Sequence, residues 1–236
     1  MKFYYPIDEG DPENDALHDL LPEPFTFAAK IFFPFFRMPE GFKSNESASP
    51  HAYYPIDRHI VTYGTPVSWL ELKDRCGFTT MAEMSKAASA WMSMCMGIEI
   101  YNRPDLQKRL ERSLGPDEYT PFEDKIPLLI MKDILYVLSS NGSEYIKYGN
   151  VYEENGQFRI EEIQNEIPEI LCSTPVTLTD EKEEFVFTCY FDEWELVFFS
   201  KKDARHVLAE TNLEGVILSE GTPLVWENGS YEAFGS

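Results

Sequence analysis

Between Phe25 and Phe36 the chain reads Phe-Thr-Phe-Ala-Ala-Lys-Ile-Phe-Phe-Pro-Phe-Phe, an apolar run interrupted only by Thr26, Lys30 and Pro34. Such a run predicts a buried strand ending before Pro34, because proline has no N–H to give to a ladder. Ahead of it, Asp11 to Asp19 predicts a short acidic helix, with Pro12 near its first position and Ala16, Leu17, Leu20 and Leu21 as its apolar side. The centre of the chain has the helical period. Ser68 with Glu71 forms the residue pair of a capping box, opening a short helix that stops at Gly77. Thr80 with Glu83 opens a longer one to about Met96, rich in Ala, Ser and Met. Pro104 to Leu114 places Leu106, Leu110 and Leu114 four apart, and a fourth helix starts near Pro127. Asn141-Gly142 supplies its left-handed stop.

After that stop the period shortens to two. Ser143 to Tyr148, Pro175 to Leu178, Phe185 to Phe191 and Trp194 to Phe199 read as strands. Ser200 with Asp203 starts a helix to about Glu210, and Val216-Ile217-Leu218 returns as a strand. This order predicts an α+β fold, with central helices and a C-terminal antiparallel β-β-α-β unit. The expectation is one α+β domain over 1–236, a subdivision falling, if anywhere, near 120–150. Met38 to Pro50 is a polar loop, and Tyr4-Tyr5-Pro6-Ile7-Asp8 recurs as Tyr53-Tyr54-Pro55-Ile56-Asp57, an extended Tyr-Tyr entering a proline-fixed turn.

Charge changes the picture most. The formal net charge is −21 on 236 residues, while 43% of the chain is hydrophobic, too much for disorder. The acids gather late: residues 150–195 hold 13 of them against only Arg159 and Lys182. A field of that sign repels nucleic-acid phosphates and anionic lipid and attracts a basic protein surface. No signal-peptide pattern opens the chain and no run approaches a membrane span, so a cytoplasmic setting is expected. Cys76, Cys95, Cys172 and Cys189 are widely spaced and read as buried free thiols.

Candidate chemistry is sparse. His18, His51, His59 and His206 form no metal-ligand spacing, and no phosphate loop or serine-nucleophile elbow occurs, so neither a metal nor a cofactor is expected. The acidic stretch Asp8 to Asp15 fails the calcium-loop spacing, since the sixth position from Asp11 is Ala16. Asp192, Glu193 and Glu195 are the residue types of a paired-carboxylate glycan site, but around a turn they read as solvated acids. Trp69 to Ala90 has a helix–turn–helix look, but lacks the basic footprint of DNA binding. Five of the eight methionines, Met81, Met84, Met92, Met94 and Met96, fall on one helix and read as core packing.

Phe33-Pro34-Phe35-Phe36-Arg37-Met38-Pro39-Glu40-Gly41-Phe42, the Phe191-Asp192-Glu193-Trp194 turn, and Leu213-Glu214-Gly215 followed by Thr222 and Trp226 resemble an uncharacterised bacterial family, domain of unknown function 2711. The first stretch departs from that pattern in having no His before Pro34. The resemblance implies a cytoplasmic bacterial protein and no particular activity. The leading expectation is a non-catalytic, inhibitor-type binding protein for a basic partner. Glu161, Glu162, Glu166, Glu169 and Asp192 would supply charge, and Tyr190, Trp194 and Trp226 contact area. The alternative is a hydrolase or small-molecule-binding enzyme pairing a carboxylate with His206 or His59.

Overall fold

The computed structural model describes residues 2–6, 11, 14–42, 54–92, 102–163 and 167–235. In chain order these give α1 (Leu17–Leu20), β1 (Phe27–Phe32), β2 (Phe35–Arg37), α2 (Asp57–Tyr63) and β3 (Thr65–Val67). Helices α3 (Trp69–Cys76), α4 (Met81–Trp91) and α5 (Pro104–Ser113) follow, then β4 (Glu118–Tyr119) and α6 (Leu128–Ser139). The last part holds β5 (Tyr145–Asn150), β6 (Asn155–Arg159), α7 (Ile160–Ile163), β7 (Val176–Asp180), β8 (Phe185–Thr188), β9 (Glu195–Ser200), α8 (Arg205–Leu208), β10 (Gly215–Leu218) and β11 (Tyr231–Phe234). The class is α+β, as expected.

Eight strands form one antiparallel sheet in the order β11-β10-β1-β9-β8-β7-β5-β6. All six residues of β1 are buried. Its register runs Phe27↔Ser200 to Phe32↔Glu195 against β9 on one side, and Ala29↔Ile217 to Ile31↔Gly215 against β10 on the other. The expected β-β-α-β unit is therefore not contiguous, because an N-terminal strand lies between β9 and β10. The helix inside it is also shorter than expected. Ser200 belongs to β9 and its hydroxyl donates to Lys202 O, so Asp203 alone receives the Arg205 N–H and the helix makes one turn. One hydrophobic cluster draws members from Tyr5 to Trp226. It includes Phe32 stacked on Trp69 at 4.3 Å and Phe27 edge-on to Phe198.

Local signals set the helix ends. The Thr80–Glu83 capping box is complete, and Gly77 and Gly142 take the left-handed conformation. At α3 the Ser68 hydroxyl accepts from Leu70 N and Glu71 N. Glu71 does not reach back; its carboxylate faces Arg37 and Arg75 at 3.5 Å. Of the methionines expected to pack, Met81, Met84 and Met92 are buried. Met94, Met96, Cys95, His51, Glu166, most of the polar stretch 38–50 and most of the acidic stretch 8–15 lie outside the described residues. The second tyrosine of each Tyr-Tyr-Pro copy packs inward. Tyr5 sits on the large sheet, while Tyr54 lies over Phe36, Tyr119 and Phe122 at a smaller β3-β2-β4 sheet.

That smaller sheet is fastened by Glu118, whose side chain is 3% exposed. Its Oε1 accepts from Arg37 Nε and Nη2 at 3.0 and 2.6 Å, and its Oε2 from Arg75 Nη1 and Gly115 N, both at 2.8 Å. Burial alone pushes this carboxyl up, but Arg75, the Gly115 amide and Arg37 outweigh it and bring it down to about 2. A carboxyl depressed in the fold contributes stability above its unfolded value and loses it as pH falls through the folded one. Glu118→Gln is expected to cost about 1–3 kcal/mol near neutral pH. In urea titrations the gap to the wild type should close as pH drops from about 4.5 toward 2.

Candidate functional site

The β5–β6 hairpin presents the most exposed large aromatic side chain among the described residues. Asn150, 1% exposed, organises the turn: its Oδ1 accepts from Tyr152 N and Glu154 N, both at 3.0 Å, and its Nδ2 donates to Glu154 Oε2 at 2.8 Å. Glu153 takes a left-handed φ of 64°, which turns the chain back toward β6. Held this way, Tyr152 stands 68% exposed beside the turn's acids. A cavity of about 370 Å³ lies between Tyr152, Glu154, Glu169 and Thr174, and a second of about 470 Å³ adjoins Glu153, Glu154 and Phe3. Asn150 and Glu154 line both, and among the described residues Lys2 is the one cation lining either. The Thr174 hydroxyl is buried and has no hydrogen-bond partner among the described residues. Neither Glu153, Glu154 nor Glu169 forms an ion pair among the described residues, whereas Glu183 and Glu144 meet Lys147 and Arg159.

The residues expected to form a binding face do not all meet. Glu169 is exposed and lines the smaller of these cavities. Glu161 and Glu162 are exposed on α7, at the opposite end of β6 from the turn. Tyr190 is half-buried, stacked on Tyr5 at 5.0 Å and on Phe3 at 6.1 Å. Asp192 sits in a left-handed turn whose N–H donates to Asp124 Oδ1 at 2.7 Å. Burial, then the Asp124 charge, raises its carboxyl. Trp194 and Trp226 are corrections: at 3% and 0% exposure they are core residues and offer a partner no contact area. Large aromatics bury best, and both find ring partners, Phe35 and Trp91 for Trp194, Phe32 and Tyr231 for Trp226. His206 is exposed on α8, and His59 packs by Phe42 and Tyr63. Among the described residues no group of three or more His, Cys, Asp or Glu side chains could hold a metal ion.

Trp226 leads to a polar cluster in which Glu193 and Glu195, expected from the sequence to be solvated turn acids, instead face inward on a buried lysine. Lys30, 2% exposed in the middle of β1, places its Nζ 2.7 Å from Glu195 Oε1 and 3.7 Å from Glu193 Oε2. Tyr5 donates to Glu193 at 2.5 Å, Trp226 Nε1 to Glu195 Oε2 at 3.2 Å, and the Ser85 hydroxyl to Glu227 Oε1 at 2.7 Å. Burial alone lowers the affinity of Lys30 for its proton, but Glu193 and Glu195 outweigh it, so the ammonium stays charged and is no nucleophile. Glu193 is raised by burial despite Lys30, and Glu227 is pushed up to about 7 by burial and then by the Glu195 charge. One ammonium thus faces three carboxyls, one of which holds its proton close to neutrality. The available signal was Lys30 itself, a charge inside a strand too apolar to be exposed.

Comparison with known proteins places the chain in a family. A model described as a protein of unknown function, DUF2711, matches residues 13–228. The chain belongs to this family. An uncharacterised protein, YwbB of Bacillus subtilis (strain 168), is 32% identical over 219 residues, covering 92% of this chain and 96% of that protein. No solved structure matches. The stretches that carried the resemblance converge in space: Phe33 N donates to Trp194 O, Phe32 N to Glu214 O, and Trp69 Nε1 to Phe33 O. Membership of this family rests on a match that spans most of the chain, and it assigns no chemistry to this junction.

Glu227 generates a pH prediction. Its carboxyl is raised in the fold, so the folded state keeps a proton the unfolded chain releases between about pH 4.5 and 7. Stability contributed by this group is complete below that window and declines through it, by at most about 3 kcal/mol. Glu227→Gln keeps an acceptor for Ser85 without the charge. In chemical denaturation at pH 5 and pH 7.5 it should flatten the pH dependence; an unchanged slope would place the titration elsewhere.

Proposed function

We propose that the chain is a non-catalytic binding protein that receives a basic segment of a partner protein at the β5–β6 hairpin. The observation that carries this reading is the exposed Tyr152 set among Glu153, Glu154 and Glu169, none of which forms an ion pair among the described residues. A lysine or arginine laid there would gain carboxylate and ring-face contacts together. Tyrosine loses little side-chain entropy on binding and is enriched among the residues that dominate interface energies. The wider negative field speeds the encounter of a basic partner and disfavours nucleic acid and anionic lipid. No helix among the described residues is long and apolar enough to cross a membrane. Three buried free thiols, Cys76, Cys172 and Cys189, favour the reducing cytoplasm as its setting. The same reading takes residues 1–236 as one cooperative unit.

The test is capture from native lysate with the tagged wild type and with Tyr152→Ala/Glu153→Gln/Glu154→Gln/Glu169→Gln. A basic protein held at about 0.1 M salt should leave near 1 M, where the screening length falls from about 10 to 3 Å. The variant should retain roughly tenfold less of it, the loss of one or two dominant contacts. A blank at both salts, or equal capture by the folded variant, removes this function from the hairpin. Coincident urea transitions by far-UV circular dichroism and tryptophan fluorescence are expected of one unit; two separated transitions would divide the chain.

A further inference from the structure

Where β1 ends and the chain turns at Pro34, the surface opens into a cavity of about 180 Å³, beside α6 and the start of β10. Its lining divides by chemistry. Phe32, Pro34, Leu129 and Ile130 are apolar, while Asp133 and Glu214 bring carboxylates. No Lys, Arg or His lines it, and neither carboxylate forms an ion pair among the described residues. The donors they have are neutral. Asp133 Oδ1 accepts from the backbone N and side-chain Nδ2 of Asn212 at 3.1 and 3.4 Å, and Oδ2 has no hydrogen bond among the described residues. Glu214 accepts from the Ser68 hydroxyl and from Trp69 N at 2.8 Å. Burial raises its carboxyl despite those two bonds.

We propose that this cavity is a binding site for a small organic cation, a primary ammonium carried on a short aliphatic body. It is independent of the hairpin reading. The two carboxylates repel an anion, and a neutral apolar molecule would desolvate them without compensation. A hard metal ion wants six or more oxygen ligands, which this half-apolar lining does not supply. An ammonium supplies three donors to the open lone pairs, and its methylenes cover Leu129, Ile130 and Phe32. The volume is that of about six water molecules, which suits a chain of four or five carbons. Both carboxylates also hold the fold, Glu214 at the start of α3 and Asp133 on the Asn212 loop, so the test uses amide replacements that keep an acceptor oxygen and remove only charge.

The probes are n-butylammonium and its neutral counterpart 1-butanol, titrated into isotope-labelled full-length protein and followed by amide NMR shifts. Butylammonium should give saturable shifts at Leu129, Asp133, Asn212 and Glu214, and butanol none. Asp133→Asn should weaken binding at least tenfold, Glu214→Gln likewise, and Glu153→Gln/Glu154→Gln/Glu169→Gln should bind as the wild type. Should Glu214→Gln fail to fold, Asp133→Asn decides alone. Absence of saturation at those amides, an equal response to butanol, wild-type affinity in folded Asp133→Asn, or loss of binding in the hairpin variant would each overturn the proposal.

Discussion

An ammonium in the middle of the central strand constrains everything packed around it. Lys30 has no route to water at 2% exposure, and an unpaired charge there would cost several kcal/mol. Glu195 lies on the neighbouring strand, one diagonal step from Lys30 in the register, and Glu193 on the turn before it. Two carboxylates overcompensate one lysine, so their spare lone pairs draw Tyr5 from the N-terminal segment and the Trp226 indole from the turn before β11. Burial, and then the Glu195 charge, push the Glu227 carboxyl up to about 7, and Ser85 of α4 is bonded to it. Five separate stretches of chain are held in one register by a single charge. In this network the lysine stays protonated, and Glu193, Glu195 and Glu227 each accept from a neutral side-chain donor.

The two proposed sites invert that condition. At the hairpin and at the cavity by Pro34 the carboxylates have neutral donors or none, and they form no ion pair among the described residues. In a medium of effective dielectric near 20 an ion pair at 4 Å gains about 4 kcal/mol of Coulomb energy before desolvation, against about 1 in water. A cation arriving from outside can collect part of that difference. Completed carboxylates such as Glu118 and Glu195 have nothing left to offer one. The hairpin is open and carries a large aromatic, which suits a protein side chain. The cavity by Pro34 is small and half-apolar, which suits a small molecule.

Where chemistry is local, the sequence was readable. The Thr80–Glu83 box, the Gly77 and Gly142 stops and the alternation through Phe185–Phe199 all depend on neighbours within a few residues, and the structure has them close to where they were expected. What was not readable depends on distant partners. Nothing in Phe27–Phe32 says that its neighbours are 160 to 190 positions away, so β9 and β10 were joined to each other instead of to β1. Strand β6 was missed because Asn155-Gly156-Gln157-Phe158-Arg159 is an edge strand with one apolar side chain, Phe158, stacked on Tyr148. At the binding face, tryptophans were taken as contact residues from type alone. Their size is what buries Trp194 and Trp226, and the smaller Tyr152, on a turn fixed by Asn150, is left outside.

The distribution of acids decides how far net charge can be read as function. Asp180, fully buried, spends both oxygens on the Glu184 and Phe185 amides, the Lys182 amide and the Asn141 side chain, which close the β7–β8 turn. Glu118 joins β2, α3 and β4, and Asp124 receives the Asp192 amide. Glu193, Glu195 and Glu227 face inward on Lys30 and its neighbours. Thus three of the 13 acids on residues 150–195, Asp180, Glu193 and Glu195, are consumed in holding the sheet together, and a formal count over that segment overstates its attraction for a partner by their share. The fraction still able to act on one is set by geometry: carboxylates that face solvent, meet no cation and stand beside an exposed ring. Among the described residues those conditions coincide at the turn that Asn150 organises, which is why electrostatic attraction and contact energy are assigned to the same place.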